Sequence, residues 1–424
     1  MIFFARQVWN RQRGQFMPAT FEIHRGRFSR IDWKTPQGAV AKKKIKDLGH
    51  WIVGPSAVDL HIHSRDFRES HKETFESLEA QMLKGGVSAG ACMANTQPRL
   101  DDVKTIDEFF KRVSRLSVTL RPFAAVSKNL EGREPTDWAA LLKRPIVGLS
   151  DDGKPILDSE MMKAAMKATK KFKKFISLHE EDTCTSKASL LHESHSAVRS
   201  GIEGSSATSE VSMVKRDIDL LREIKGHLHF GHMSASGSVR ALKAARREGL
   251  SISAELTPHH GILSVEDSEG FDWSQKTLFK VCPVIRSPED RSALWQGLRE
   301  GAIDCFASDH APHSLLEKDT TYTLAAHGMI SMEFYWTLYN EVRLRSELSW
   351  KKFFDCLAYR PAELLGVSVG FEVGQSADFV VFDPEEKTAL NFQLSKSRNS
   401  PFLGKTMRGV LKAHYKGGQS VYET

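Results

Sequence analysis

A chain of 424 residues, 40% hydrophobic and 27% charged, has ordinary globular composition and enough apolar material for a large core, which excludes a disordered or low-complexity protein. Its formal charge of +7 is scattered, and the densest basic run, KKKIK at 42–46, has no nucleic-acid motif beside it, so nucleic acid is not an expected partner. Five cysteines (Cys92, Cys184, Cys282, Cys305, Cys356) without a CxxC pair, no apolar run of membrane-spanning length and no signal-like N-terminus together predict a soluble cytoplasmic protein with neither a disulfide framework nor a membrane partner.

Residues 1–54 read as short strands with turns. Eight short apolar runs then alternate with amphipathic stretches: WIVGPSAVDLHIH (51–63), VSAGACMAN (87–95), TLRPFAAVS (119–127), PIVGLSDD (145–152), KFISLHEE (174–181), HLHFGHMS (227–234), LSISAELTPHH (250–260) and GAIDCFASDH (301–310). Segments such as KETFESLEAQMLKGG and PEDRSALWQGLREG have helical character and close on glycine, as helices often do. The alternation predicts an α/β chain with a (β/α)8 TIM barrel over 55–367, an open parallel sheet being the competing architecture. Residues 368–424 turn β-rich again at ADFVVF, so the two ends, 1–54 and 368–424, are expected to complete one small β-sandwich domain.

Most of the runs finish in metal-competent or acidic residues: His61 and His63, Asn95, Asp151 and Asp152, His179, His232, His259 and His260, Asp309 and His310. On a barrel the C-terminal strand ends converge on one mouth. One strand-end histidine is most often a hydrogen-bonded structural residue, but six candidate ligands on five strands are not explained that way. Side chains two apart on a strand share a face, so His61 and His63 can bind one metal together. Imidazole with carboxylate suits Zn²⁺, with Fe, Mn or Co as alternatives, and a thiolate-free set points to a catalytic site.

The motifs VDLHIHSRDF, MANTQP, LSDDG, SLHEED, GHMSASGSV, ELTPHH and IDCFASDHAPHS, in this order, resemble the amidohydrolase superfamily and, within it, the dihydroorotases. RPAELLG, GQSADFVVFD and SPFLGKTMRG resemble that family's C-terminal segments. The resemblance implies one or two zinc ions, with His61, His63 and Asp309 on one and His179 and His232 on the other. Asp152 would bridge them, Asp151 being the alternative by a one-residue slip. It further implies that Arg65, Asn95 and His313 bind a substrate carboxylate, that His310 is structural, and that Asp309 accepts and returns the proton in reversible hydrolysis of a cyclic amide, dihydroorotate to N-carbamoyl-L-aspartate in pyrimidine synthesis. For Arg65 the bland alternative is a surface ion pair with Asp66 or Glu69. The partners implied are a small-molecule substrate, a second copy of the chain in a homodimer, and aspartate transcarbamoylase.

Departures from the family pattern cluster around the ring pocket. Cys282 stands where relatives carry asparagine, Val284 where they carry proline, Ser64 where they carry leucine, and His327 and Met332 are atypical. A changed substrate, as in hydantoinases or allantoinases, is therefore the second reading, although those relatives normally carry a bridging lysine. A non-catalytic scaffold is the third, and the complete ligand set argues against it.

Overall fold

The computed structural model describes residues 1–36, 44–183, 191–193, 199 and 201–424; Cys184 and the Lys42–Lys43 part of the basic run lie outside the described residues. Strands β1 (Ile2–Asn10), β2 (Gln15–His24), β3 (Arg27–Asp32), β4 (Lys46–Asp47) and β5 (Ile52–Pro55) come from the N-terminal end. They join β16 (Phe379–Ala389), β17 (Thr406–Lys416) and β18 (Gln419–Glu423) from the C-terminal end in one sheet, ordered β18-β17-β16-β5-β1-β2-β3, with β4 beside β1. Phe3, Phe21, Phe28, Phe379 and Tyr415 alternate onto one face and form a separate aromatic core, which is why the two distant ends are held together.

The barrel strands are β6 (Ala57–Ile62), β7 (Val87–Cys92), β8 (Thr119–Pro122), β9 (Gly148–Leu149), β10 (Phe175–Leu178), β13 (Leu228–Phe230), β14 (Ile252–Leu256) and β15 (Cys305–Phe306), one within each apolar run. A short parallel pair, β11 (Leu191–His192) and β12 (Gly204–Ser205), lies outside the barrel. Parallel pairing runs β6-β7-β8 and β9-β10-β13-β14-β15, and the bridges Ala124↔Leu149 and Ile62↔His310 close the ring, which rules out the open sheet. Strands buried on both faces need apolar side chains on both, and this is why the runs are continuous rather than alternating.

The first run differs from its expectation as a single stretch. It divides at Ser56, where β5 pairs antiparallel with β16 in the terminal sheet and β6 turns into the barrel. The Ser56 hydroxyl lies 2.9 Å from His414 Nε2, pinning the crossover to β17. The two expected helices form at Phe75–Gly85 and Pro288–Glu300. Thr74 and Ser287 cap their first turns by accepting N–H bonds, and Gly86 and Gly301 close them at φ of 75° and 80°, a conformation that favours glycine. Cys92, Cys282, Cys305 and Cys356 are free thiols. Among the described residues, no helix is long and apolar enough to cross a membrane.

Candidate active site

At the C-terminal mouth of the barrel, β6 ends in His61 and His63, and their rings converge with side chains from four other strand ends. His61 Nε2 lies 3.3 Å from Asp152 Oδ1 and 3.5 Å from Asp309 Oδ1. His63 Nε2 lies 3.0 Å from Asp309 Oδ1 and 3.5 Å from Asp152 Oδ2. On the other side of Asp152, His179 Nδ1 and His232 Nε2 stand 3.6 and 3.4 Å from Oδ1 and 3.0 Å from each other. One carboxylate thus faces two groups of ligand-type residues: His61, His63 and Asp309 on one side, His179 and His232 on the other.

These donors fit a cation. His61 Nε2 and Asp152 Oδ1 are buried and, among the described residues, lack a hydrogen-bond partner, an arrangement that is costly unless something else satisfies them. The sets His61/Asp152/His232 and His61/His63/Asp309 each bring their donor atoms within 4.8 Å of one another. The far nitrogens of two rings are anchored: His61 Nδ1 meets Glu255 Oε1 at 2.6 Å and His63 Nδ1 meets Asn95 Oδ1 at 2.9 Å. Such outer contacts fix ring orientation and raise the basicity of the free nitrogen. For Asp152 and Asp309, burial acts to raise the carboxyl pKa. The facing histidines outweigh it: His61, His179 and His232 hold Asp152 well below the usual range, and the hydrogen bond from His63 with the charge of His61 does the same for Asp309.

Asp151 is elsewhere. Its carboxylate accepts from the backbone N–H of Val126 (2.7 Å) and of Ser127, and from the Ser127 hydroxyl, so only Asp152 reaches the histidines. Gly153 follows at φ +84°, the turn that swings Asp152 inward. Arg65, His232 and Asp309 also have positive φ (57°, 33° and 45°), strained conformations of the kind that gather at functional sites.

A cavity of about 250 Å³ opens onto the cluster, lined by His63, Arg65, Asn95, Cys282, Asp309, His327 and Gly328 among others. Arg65 makes neither of the surface ion pairs weighed for it. Its Nε donates to the Pro312 carbonyl at 3.1 Å, and Nη2 lies 3.3 Å from His313 Nε2. That nitrogen also lies 2.8 Å from the His327 carbonyl, where it donates. Burial, the largest influence, drops His313 to about 4, so the ring is neutral at pH 7. Asn95 Nδ2 lies 3.3 Å from the Asp152 carbonyl. Cys282 Sγ stands 3.5 Å from His179 Nε2 and 3.4 Å from Glu181 Oε2. Of the remaining strand-end residues, His310 is buried with Nε2 3.5 Å from Glu73, and His260 is tied to Thr257 and the Pro283 carbonyl. His259 is also buried, 3.8 Å from Asp309 Oδ2, and neither of its ring nitrogens has a hydrogen-bond partner among the described residues.

Sequence reasoning missed Glu255. Fully buried, it receives His61 Nδ1, His229 Nε2 (2.9 Å) and the His232 N–H (3.1 Å), and so orients both halves of the cluster. A glutamate inside SISAEL, an otherwise buried strand, was the available signal.

A family profile described as "Amidohydrolase family" matches residues 52–421. The chain is 34% identical over 382 residues to a dihydroorotase of Clostridioides difficile, covering 90% of each chain, and 33% identical over 416 residues to a dihydroorotase of Bacillus caldolyticus, covering 97% of this chain and 96% of the relative. In fold it is similar to an L-hydantoinase (dihydropyrimidinase) from Arthrobacter aurescens, with a TM-score of 0.87, 20% identity and coverage of 99% and 96%. A dihydropyrimidinase from Brevibacillus agri gives a TM-score of 0.85 at 18% identity, with 100% and 95% covered.

Proposed function

The chain belongs to the amidohydrolase family, and from that membership we propose that it is a dihydroorotase, catalysing the reversible hydrolysis of dihydroorotate to N-carbamoyl-L-aspartate in the cytoplasm, for pyrimidine synthesis. The observation that carries this reading is one cavity in which Asp152 stands between two histidine groups and which Arg65, beside His313, also lines. In the proposal, His61, His63, Asp152 and Asp309 would hold one zinc ion, and Asp152, His179 and His232 a second. Zinc bound there supplies Lewis acidity that polarises an amide carbonyl and acidifies water.

The chain's own residues do the rest. Asp309, held ionised by its histidine neighbours, accepts the proton of the attacking water and returns it to the leaving ring nitrogen. Arg65 offers a guanidinium fork to the substrate carboxylate, with Asn95 and neutral His313 as further contacts. Positioning matters most in the reverse direction, where the two ends of a flexible carbamoyl acid must meet. The catalytic unit in this reading is 55–367, framed by 1–54 and 368–424. A homodimer, or assembly with aspartate transcarbamoylase, is the expected partnership, testable by light scattering of the chain alone and with the transcarbamoylase.

One observation favours a second reading, hydrolysis of a different cyclic amide. Cys282 lines the cavity where relatives place asparagine, and a thiol cannot reproduce the two-sided hydrogen bonding of an amide. A substrate panel of L-dihydroorotate, 5-substituted hydantoins and allantoin separates the two. Turnover of hydantoins without turnover of dihydroorotate would refute the proposal.

A further inference from the structure

Two buried ammonium groups stand behind the cavity wall, and the reaction as derived uses neither. Lys280, 1% exposed, directs Nζ at the carbonyl oxygens of Tyr322 (2.8 Å), Thr323 (3.1 Å) and Ala325 (2.6 Å). Lys318, 2% exposed, directs Nζ at the Ala326 carbonyl (2.7 Å) and at the carbonyl of Lys280 itself (3.3 Å). Among the described residues, neither ammonium has a carboxylate within ion-pair distance. Taking such a cation out of water is expensive, and here carbonyl dipoles offset much of the cost, with the Tyr322 ring centroid 5.4 Å from Lys280 Nζ and the charge of Glu317 acting on Lys318. Burial lowers Lys280 to about 8, and burial with the neighbouring Lys280 charge lowers Lys318 to about 7.

The gripped carbonyls belong to a segment that runs directly into the cavity wall. Its next residues, His327 and Gly328, line the cavity. The Gly328 N–H donates to the Lys280 carbonyl at 2.9 Å, and the His327 carbonyl accepts from His313 Nε2. Gly328 sits at φ +131°, and a Cβ there would approach Ala311 Cβ to 2.6 Å, so the wall has no slack. Lys280 also lies two residues before Cys282, which lines the same cavity.

We propose that Lys280 is a positioning residue for the reaction: its ammonium, seated in a cage of three carbonyls and backed by Lys318, clamps residues 322–326 so that His327 and Gly328 hold the cavity wall in a fixed shape against the substrate ring. This rests on the dihydroorotase reading. The three N–H donors of an ammonium match three carbonyls of one turn, a task a neutral side chain cannot perform.

The test is Lys280→Ala in the metal-loaded enzyme. The KM for L-dihydroorotate should rise at least about 10-fold, the effect of losing charge-assisted hydrogen bonds, while kcat changes less than about threefold. Amide exchange over 320–328 should accelerate. n-Propylammonium, which replaces the deleted atoms, should restore much of KM, and n-propanol should not. Lys318→Met should shift KM and exchange in the same direction, and carries the test if Lys280→Ala does not fold. Unchanged KM with unchanged exchange, or equal rescue by n-propanol, would overturn the proposal. If the wild type does not turn over dihydroorotate, the functional reading fails, while the exchange measurement still decides whether Lys280 holds the wall.

Discussion

Replacing Glu255 by glutamine changes little in shape and removes one buried negative charge from behind the cluster. Burial alone would raise its pKa, but the charges and hydrogen bonds of His61 and His229 outweigh it and keep it ionised. The two carboxylate oxygens accept from His61 Nδ1 at 2.6 Å and from His229 Nε2 at 2.9 Å, with the His232 N–H at 3.1 Å. A glutamine has one acceptor oxygen and an NH2, so one imidazole must switch tautomer or lose its partner. If His61 switches, the nitrogen turned toward Asp152 carries a proton and cannot bind a cation. Loss of such an outer contact costs about 10- to 100-fold in metal affinity, or about 1.4–2.7 kcal/mol. The assay is competition for Zn²⁺ against a chromophoric chelator, with urea unfolding at saturating metal as a control for folding. Wild-type zinc affinity in folded Glu255→Gln would refute the reasoning.

Other perturbations follow from the same contacts. Arg65→Lys keeps the charge and loses the planar fork; with charged hydrogen bonds worth about 1.5–3 kcal/mol, the KM for dihydroorotate should rise about 10- to 100-fold with zinc content unchanged by elemental analysis. Cys282→Asn returns an amide to the cavity and should lower KM about 2- to 10-fold, the value of one neutral hydrogen bond, measured in the same assay. Acid sensitivity should come partly from His227 and His414, which burial lowers to about 4 from 6.5. Their native forms resist protonation that the unfolded chain accepts, so stability is full above about pH 6.5 and falls as pH drops toward 4, by about 1.4 kcal/mol per unit for each group. Urea midpoints between pH 7.5 and 5 should show a slope shallower by about one proton in His414→Gln.

The barrel and the convergence of histidines and aspartates at its mouth were legible because both depend on local rules. Buried parallel strands demand continuous apolar runs, and strand alternation puts His61 and His63 on one face. What escaped the sequence depends on contacts across the fold. The break at Ser56 is set by pairing with β16, more than 300 residues away. Asp152 is the residue chosen from the sequence; what the sequence does not show is why its neighbour is unavailable, namely that Val126 and Ser127 capture the Asp151 carboxylate. Glu255 reads as an ordinary strand residue until three partners from β6 and β13 and its following turn surround it. No local pattern marks Lys280 and Lys318, which are buried against the backbone of one segment.

The most direct measurement is hydrolysis of L-dihydroorotate by the zinc-loaded protein, followed by loss of substrate absorbance, beside Asp309→Asn loaded to the same zinc content. The account predicts turnover in the wild type and a loss of at least about 100-fold in the variant, since a general acid–base group contributes about 10²–10⁴-fold. No turnover by metal-loaded wild type, or equal rates in the two proteins, would contradict it.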